Sequence, residues 1–486
     1  MQTNGQLIIG GRDEPGTNQA FESLNPSTGG VIWRGGEASP RQVDAAVEAA
    51  RGAFEQWQDV PLAEREALLK RYAQIVHEQK DELARLISAE AGKPRWEAAT
   101  EVASVAGKVE LSIAALHERR AETSFDMNGT TARTSYKPHG VLGVLGPFNF
   151  PMHLANGHIV PALLAGNAVV FKPSEATPAC GEAMVRCWER AGAPAGLVNL
   201  LQGGRSVGEA LSKHDGLDGL LFTGGAHAGL ALSRLFAERP DKILALELGG
   251  NNPLVVHALT DVEAAVYATV QSAYLTAGQR CTCARRLIVT DEAPAGFLDA
   301  LVDLTKRIRV DVPDADPPPF HGPLINATNA RKVLDAQRQL IERSGTALVE
   351  MKPLPLGEAF VSPGLIDVTG IDRQDVEVFG PLLQVIRVSD LDAAIAEANR
   401  TRYGLSAGIL TDDRAAWERF RRRVRAGIVN WNQQLTGASG RLPFGGVGLS
   451  GNFRPSGSFA VDYVSYAVAS LENERVRKPA NVPGIA

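Results

Sequence analysis

The chain has 486 residues, of which 44% are hydrophobic and 22% charged, and its 50 Lys and Arg face 55 Asp and Glu. This length exceeds what one hydrophobic core organises, so two or more domains are expected. A formal net charge of -5 gives no basic field for nucleic acid. No segment approaches the ~20 apolar residues of a membrane span. We therefore expect a globular protein that binds neither nucleic acid nor a membrane.

The N-terminus and the cysteines indicate the compartment. Residues 1–16 are polar, glycine-containing and acidic rather than apolar like a secretory signal, which predicts a cytoplasmic location. The four cysteines, Cys180, Cys187, Cys281 and Cys283, are too few for a disulfide framework. In a reducing compartment they remain thiols, so one of them can act as a nucleophile.

Helical and strand patterns follow each other along the chain. Apolar residues recur at helical spacing from about residue 40 to 120, which predicts a helical block. Short apolar runs then alternate with helical patterns up to residue 256, which predicts βαβ units and a parallel sheet. The strands predicted there are 141–145, 168–171, 198–201, 219–222 and 243–246. A second α/β segment is predicted from 251 to 450, with a helix at 261–275 and strands at 287–290, 383–388 and 427–431.

Two polar or alternating segments, 123–138 and 464–471, lie outside these α/β blocks. They are predicted to pair with each other or with another subunit. Within the first block, several predicted strands end in Gly, Pro or Asn, for example in the turns 146–149 and 223–225. Ligands bind beyond the carboxyl ends of strands in doubly wound sheets, so these turns should surround one crevice.

Cys281 is the candidate nucleophile. It lies between a helical segment and a strand, next to Arg280, whose charge would favour the reactive thiolate. The alternatives are a buried, inert thiol or a loose metal pair with Cys283. Metal binding is disfavoured because there is no CxxC pair, and His153 and His158 are five residues apart. These histidines are interpreted as structural or substrate-lining residues.

Two polar side chains near other strand ends can assist a nucleophile. Glu247 ends an apolar strand, where its pKa would rise toward neutrality and suit a general base. A salt-bridged edge residue is the alternative. Asn149 follows strand 141–145, and its amide can donate to a developing oxyanion. The alternative for Asn149 is a residue that only stabilises a turn.

Other strand ends indicate a dinucleotide site. The turns 203–208 and 224–229, the second with Gly225 and Gly229, resemble the dinucleotide fingerprint loosely, as GGxxxG. At another strand end, Lys172 and Glu175 can hydrogen-bond ribose hydroxyls, and Glu175 would repel a 2′-phosphate. This pattern favours NAD over NADP. The alternatives are an exposed turn for the lysine and a helix-start carboxylate for the glutamate.

Taken together, these motifs resemble the aldehyde dehydrogenase superfamily over almost the whole chain. The resemblance rests on seven segments in order: GPFNFP (146–151), FKPSE (171–175), FTGG (222–225), LELGG (246–250), GQRC (278–281), EVFGP (377–381) and PFGG (443–446). It implies an α/β fold with a doubly wound NAD-binding domain, an α/β catalytic domain and a small oligomerisation segment. The implied NAD-binding domain comprises 1–120 and 139–249. The implied catalytic domain is 250–450, and the oligomerisation segment comprises 121–138 and 460–486.

The resemblance also implies a role for each matching residue. Cys281 would be the nucleophile, Glu247 the base and Asn149 the oxyanion donor, together with the backbone N–H of Cys281. A homodimer or homotetramer is expected. The expected NAD contacts are Lys172, Glu175, Gly225, Gly229, Glu377 and Phe379. Gly225 departs from the serine that many relatives carry in this turn.

Longer stretches, such as 148–175 and 430–446, resemble the branch of the family that oxidises N-succinylglutamate 5-semialdehyde in the arginine succinyltransferase pathway. This substrate carries carboxylates, so a nearby cation is expected, supplied by Arg280 or Arg441. Another semialdehyde or a broad range of aldehydes is the alternative substrate. Two other classes stay open: a non-redox thiol hydrolase, which would need a partnered His, and a non-catalytic binding protein.

Overall fold

The computed structural model describes residues 3–478 and 483–484. The part up to residue 248 contains, in chain order, β1 (Gln6–Ile9), β2 (Arg12–Pro15), β3 (Ala20–Leu24), β4 (Val31–Gly36), α1 (Pro40–Trp57), α2 (Leu62–Glu78), α3 (Lys80–Ala91), α4 (Arg95–Arg119), β5 (Thr123–Met127), β6 (Thr130–Pro138), β7 (Val141–Leu145), α5 (His153–Ala165), β8 (Ala168–Lys172), α6 (Pro178–Arg190), β9 (Val198–Leu200), α7 (Arg205–Lys213), β10 (Gly219–Gly224), α8 (Ala226–Phe236) and β11 (Ile243–Leu248).

The second part of the chain continues with β12 (Asn252–Val256), α9 (Val262–Tyr274), β13 (Ala284–Thr290), α10 (Phe297–Arg307), α11 (Ala327–Glu342), β14 (Thr346–Val349), β15 (Gly364–Asp367), β16 (Leu382–Val388), α12 (Leu391–Ala398), β17 (Ser406–Leu410), α13 (Arg414–Arg423), β18 (Ile428–Trp431), β19 (Pro443–Phe444), β20 (Ser456–Gly457), α14 (Ala460–Tyr463) and β21 (Ser465–Glu472). Short 3₁₀ helices span Leu275–Gly278 and Gly448–Ser450. No helix among the described residues is long and apolar enough to cross a membrane.

The first large sheet has the strand order β11-β10-β7-β8-β9-β1-β2. Its five strands β7 to β11 pair in parallel, and all residues of β7 and β8 are buried. Continuous apolar strands buried on both faces are typical of parallel sheets covered by helices. The predicted parallel sheet is therefore confirmed. The antiparallel hairpin β1–β2 at its edge was not predicted from the sequence.

The second large sheet has the order β14-β15-β16-β13-β12-β17-β18 and is parallel except for β14. The predicted helix at 261–275 and the predicted strands within β13, β16 and β18 are confirmed. The sequence analysis missed β12, β15 and β17. These strands have four or five residues and are almost wholly buried, so their apolar runs lack the period that distinguishes a strand from a buried helix.

A three-stranded sheet with the order β21-β6-β5 joins the two segments outside the α/β blocks. Strand β21 runs antiparallel to β6 over eight residue pairs. The two segments therefore pair with each other, which was one of the two predicted alternatives. Residues 479–482 and 485–486 of the predicted oligomerisation segment lie outside the described residues. The assignment of these units to cofactor binding, catalysis and assembly stays a prediction.

Candidate active site

The carboxyl ends of β7, β8, β10 and β11 open into a cavity of about 680 Å³. This is where a doubly wound sheet is expected to bind its ligand. Most of the candidate site residues line the cavity: Asn149, Lys172, Glu175, Gly225, Glu247, Cys281, Glu377 and Phe379. Gly229 lies within α8 instead, where an added Cβ would approach Leu248 to 2.4 Å. It allows α8 to pack closely on β11.

A sharp turn after α9 presents Cys281 to the cavity. Thr276 and Ala277 have positive φ angles of 58° and 52°, in the left-handed region that non-glycine residues seldom adopt. Gly278 follows with φ 70°, and an added Cβ would lie 2.2 Å from the Gly380 carbonyl oxygen. Only glycine fits this close approach. The turn leaves Cys281 half-buried at the cavity wall.

Cys281 and Glu247 both line the cavity, close enough for each to change the pKa of the other. Glu247 is only 4% exposed, and burial raises its pKa to about 8. Burial and then the charge of Glu247 also raise the pKa of the Cys281 thiol. Among the described residues, Oε1 of Glu247 has no hydrogen-bond partner. One carboxyl oxygen of Glu247 therefore stays available to a reactant.

The sequence analysis predicted that the charge of Arg280 would favour the thiolate form of Cys281, and this prediction is wrong. The Arg280 guanidinium turns to the buried Glu97, 2.7 Å away, and its Nε donates to Thr276 Oγ1 at 2.7 Å. Its charge is thus compensated, and burial and nearby carboxylates set the high thiol pKa. Arg280 does not line the cavity, and Arg441 is exposed in a loop. Their proposed binding of substrate stays a prediction without a contact to support it.

Asn149 is held against the loop that carries Cys281. Its side chain is 6% exposed, and its Nδ2 donates to the Gln279 carbonyl oxygen at 2.9 Å. One N–H of the amide is used in this bond. The other N–H is not used in this bond, and because Asn149 lines the same cavity as Cys281, it can serve as a donor there.

Two buried polar residues that the sequence analysis did not single out fasten the nucleophile loop. Asn252 Nδ2 donates to the carbonyl oxygens of Cys281 and Cys283, at 2.7 and 2.8 Å. Arg285 donates to the carbonyl oxygens of Gly278 and Arg280, at 2.6 and 2.9 Å. The signal that could have identified them is a polar side chain at the start of an otherwise apolar strand.

The opposite end of the cavity has groups that suit a dinucleotide. Gly225 caps α8 and has open space where a Cβ would be, so a phosphate could approach the helix N-terminus. Lys172 is buried and donates to the Gly203 carbonyl oxygen at 2.6 Å, with Glu175 at 3.7 Å. Glu175 and Glu377 also line the cavity and carry carboxylate oxygens of the kind that accept from ribose hydroxyls. These residues fit a nicotinamide dinucleotide. Among the described residues, no cluster of His, Cys, Asp and Glu could hold a metal.

Comparison with known proteins agrees with this geometry. The aldehyde dehydrogenase family model matches residues 13–468. Two curated relatives are N-succinylglutamate 5-semialdehyde dehydrogenases. That of Ectopseudomonas mendocina is 52% identical over 98% of this chain and 99% of its own length. That of Chromobacterium violaceum is 50% identical over 99% of both chains.

A solved structure with the same fold is betaine aldehyde dehydrogenase of Staphylococcus aureus, crystallised in complex with NAD+. It superposes with a TM-score of 0.91 at 27% identity, covering 99% of this chain and 98% of that one. The fold predicted from the sequence is thereby confirmed. The chain belongs to the aldehyde dehydrogenase family.

Proposed function

We propose that the protein oxidises N-succinylglutamate 5-semialdehyde to N-succinylglutamate with NAD, as a step of arginine catabolism. The observation that carries the catalytic part is that one cavity is lined by Cys281, the buried Glu247 and Asn149, whose side chain is bonded to the loop of Cys281. Support for the substrate comes from the two relatives of that name, which are at least 50% identical over nearly the whole chain.

In the first step, the Cys281 thiol loses its proton to solvent water, its sulfur bonds to the aldehyde carbon, and the π bond of the carbonyl breaks toward oxygen. The free N–H of Asn149 and the backbone N–H of Cys281 donate to the resulting oxyanion of the thiohemiacetal. Bound NAD would supply the hydride acceptor for this carbon, and the acyl group would then be held on Cys281 as a thioester.

Glu247 serves the second half of the reaction. Its carboxylate takes a proton from water, and the hydroxide adds to the thioester carbon while the bond to sulfur breaks. The products are a carboxylic acid and the Cys281 thiolate. A base at this position favours water over a thiol such as coenzyme A as the acyl acceptor.

We also propose the finer features of the site and assembly. NAD is preferred over NADP because the Glu175 carboxylate repels a 2′-phosphate. The chain forms a homodimer or homotetramer through the sheet of β5, β6 and β21. A cytoplasmic location is supported by the four cysteines, all of which are free thiols.

The test is NADH absorbance with purified protein, NAD and N-succinylglutamate 5-semialdehyde, beside succinate semialdehyde, hexanal and a Cys281→Ala control. Turnover of the first aldehyde should exceed that of the others and vanish in the variant. Broad turnover would remove the specific substrate. A fully active variant, or hydrolysis of esters without NAD, would instead favour the rival thiol hydrolase.

A further inference from the structure

One face of α4 lies against the start of α5, the helix that follows the Asn149 turn. Glu101 Oε1 accepts hydrogen bonds from two backbone N–H groups there, at 3.0 and 3.2 Å. One turn further, the Val105 carbonyl oxygen accepts from Asn156 Nδ2 at 3.0 Å. Residues at spacings of four and seven share a helix face. Lys108 therefore continues this face alongside α5.

Lys108 is a buried cation without a compensating anion. It is 4% exposed, and its Nζ donates to the Gly457 carbonyl oxygen at 2.8 Å. In the described part of the chain, no carboxylate forms an ion pair with it, and burial alone lowers its pKa, to about 8. A fully buried lysine is rare unless it is paired, because a lone charge is costly to remove from water.

The neighbouring cations differ from Lys108 because each has its own carboxylate. Lys93 pairs with Glu101 at 2.6 Å, and Arg280 pairs with Glu97 at 2.7 Å. Both of these cations lie over the ring of Phe150, the residue after Asn149, at 3.5 and 5.0 Å. The cluster therefore carries one positive charge in excess, contributed by Lys108.

The same place offers a second donor and is not crowded. At Gly157 an added Cβ would meet one atom within 4 Å, Ser456 Oγ, at an ordinary contact distance of 3.9 Å. The Nδ1 of His153 is buried without a hydrogen-bond partner among the described residues. Burial and then Lys108 lower the His153 pKa to about 4, so the ring is neutral and keeps one N–H to donate.

We propose that Lys108 and His153 bind a carboxylate of the substrate and so select an aldehyde that carries an acidic group. This inference rests on the proposed function and adds the residues that bind the charged group of the substrate. The carboxylate would supply the anion that Lys108 lacks and a hydrogen-bond acceptor for His153. Since Arg280 is neutralised by Glu97 and Arg441 is exposed, Lys108 takes the role that the sequence analysis gave to an arginine.

The experiment compares wild type with Lys108→Met, which keeps the chain length and removes the charge, and with His153→Leu. Val109→Ala is the control, because it disturbs a buried neighbour on α4 without changing charge. Two quantities are measured: the ratio of kcat/KM for N-succinylglutamate 5-semialdehyde to that for hexanal, and the Kd of N-succinylglutamate by calorimetry. We expect Lys108→Met to lower the ratio and weaken binding by at least about tenfold, with hexanal turnover retained.

His153→Leu should weaken binding severalfold, and unchanged binding would remove His153 from the site. If Lys108→Met keeps the wild-type ratio and Kd, the carboxylate site is overturned while the proposed substrate stands. If wild type prefers hexanal, the proposed substrate is wrong. The Kd of N-succinylglutamate measured by calorimetry then still tests the carboxylate site. Binding of N-succinylglutamate that depends on Lys108 would support the site, and no binding to wild type, or equal loss in Val109→Ala, would overturn it.

Discussion

Arg285 and Glu377 form an ion pair, with 3.3 Å between Nη2 and Oε1, and Glu377 lines the active-site cavity. The Arg285 side chain is wholly buried and also binds two carbonyl oxygens of the loop that carries Cys281. Its guanidinium carbon lies 5.3 Å from the ring centre of Phe379, which lines the cavity with Glu377. One guanidinium therefore fastens the nucleophile loop to the loop expected to contact the cofactor.

We predict that Arg285→Met weakens NAD binding about tenfold or more and slows alkylation of Cys281 by iodoacetamide. Burial raises the Glu377 pKa and Arg285 opposes that rise, so without Arg285 the carboxyl is a poorer acceptor for ribose hydroxyls. Loss of one partner from a buried pair also removes the restraint on the loop. The measurements are the Kd of NAD by calorimetry and the alkylation rate of Cys281 by mass spectrometry.

The adjacent Arg286 provides the matched control. It is 1% exposed, against 0% for Arg285, but it pairs with Glu397 and donates to the Asn251 carbonyl oxygen. Arg286→Met should lower the melting temperature with little effect on the Kd of NAD. Equal losses of NAD affinity in the two variants would mean that Arg285 contributes only to general stability.

The pKa of Glu247 predicts the pH dependence of deacylation. A carboxyl with its pKa raised to about 8 is mostly protonated at pH 7 and becomes a base as pH rises through 8. The steady-state rate should therefore increase from pH 6.5 to 8.5, provided that thioester hydrolysis limits turnover. Glu247→Gln should retain a burst of about one NADH per site and then turn over roughly 10²- to 10⁴-fold more slowly.

Stopped-flow NADH absorbance between pH 6.5 and 9 measures both effects. Glu90→Gln is a suitable control, because burial also raises the pKa of Glu90, which bonds Ser23 and the start of α6 and does not line the cavity. Its pH profile should match wild type. A Glu247→Gln enzyme without a burst, or with the wild-type steady-state rate, would contradict the assignment of Glu247 as the base for hydrolysis.

The sequence allowed prediction of features that depend on local pattern. The continuous apolar runs predicted the parallel strands β7, β8 and β10, and an apolar strand around Glu247 predicted its raised pKa. These inferences hold because hydrophobic period and strand ends determine which side chains meet at one edge of a sheet.

Features that depend on distant partners could not be predicted in this way. Arg280 was expected to activate the adjacent Cys281, but it pairs with Glu97, which is 183 residues away in the sequence. The pairing of Arg285 with Glu377 spans 92 residues. Neither partner is indicated by spacing or composition. A charged residue beside a nucleophile thus predicts a charge in the region, but the fold determines which group forms an ion pair with it.

The carboxylate of Glu175 predicts cofactor selectivity. It lies at the end of β8, 3.7 Å from Lys172 and lining the cavity, where it would face a ribose and repel a 2′-phosphate. Glu175→Ala should lower the ratio of kcat/KM for NAD to that for NADP by about tenfold or more, mainly through a lower KM for NADP. Steady-state kinetics with both cofactors at a saturating aldehyde concentration measures the ratio.

Glu209→Ala separates a specific contact from the general charge of the cavity. Glu209 lines the same cavity but lies on α7 and pairs with Arg205 at 2.6 Å. Its removal should leave the cofactor ratio within about twofold of wild type. Were both variants to gain NADP activity equally, the preference would depend on the net charge of the cavity and not on Glu175.

Phe125 and Leu471 predict the surface used in assembly. Phe125 on β5 and Leu471 on β21 are both paired across the sheet with Ala132 of β6, and each is 65% exposed. Directly paired residues share a sheet face, so the two side chains form an apolar row on this sheet. Among the described residues, no further strand pairs with the outer edges of β5 and β21. Large exposed apolar groups in one row are typical of a protein interface.

The double variant Phe125→Asp with Leu471→Asp should therefore shift the proposed homodimer or homotetramer toward a smaller species, because four or more buried carboxylates per assembly are too costly to desolvate. Light scattering coupled to size exclusion measures the mass. Leu356→Asp, which places the same charge on a 37% exposed leucine outside this sheet, should leave the mass unchanged. An unaltered mass in the double variant would place the interface elsewhere. Phe125 and Leu471 do not line the cavity. Retained turnover by a smaller species would therefore show that the active site of each subunit is complete without its neighbours.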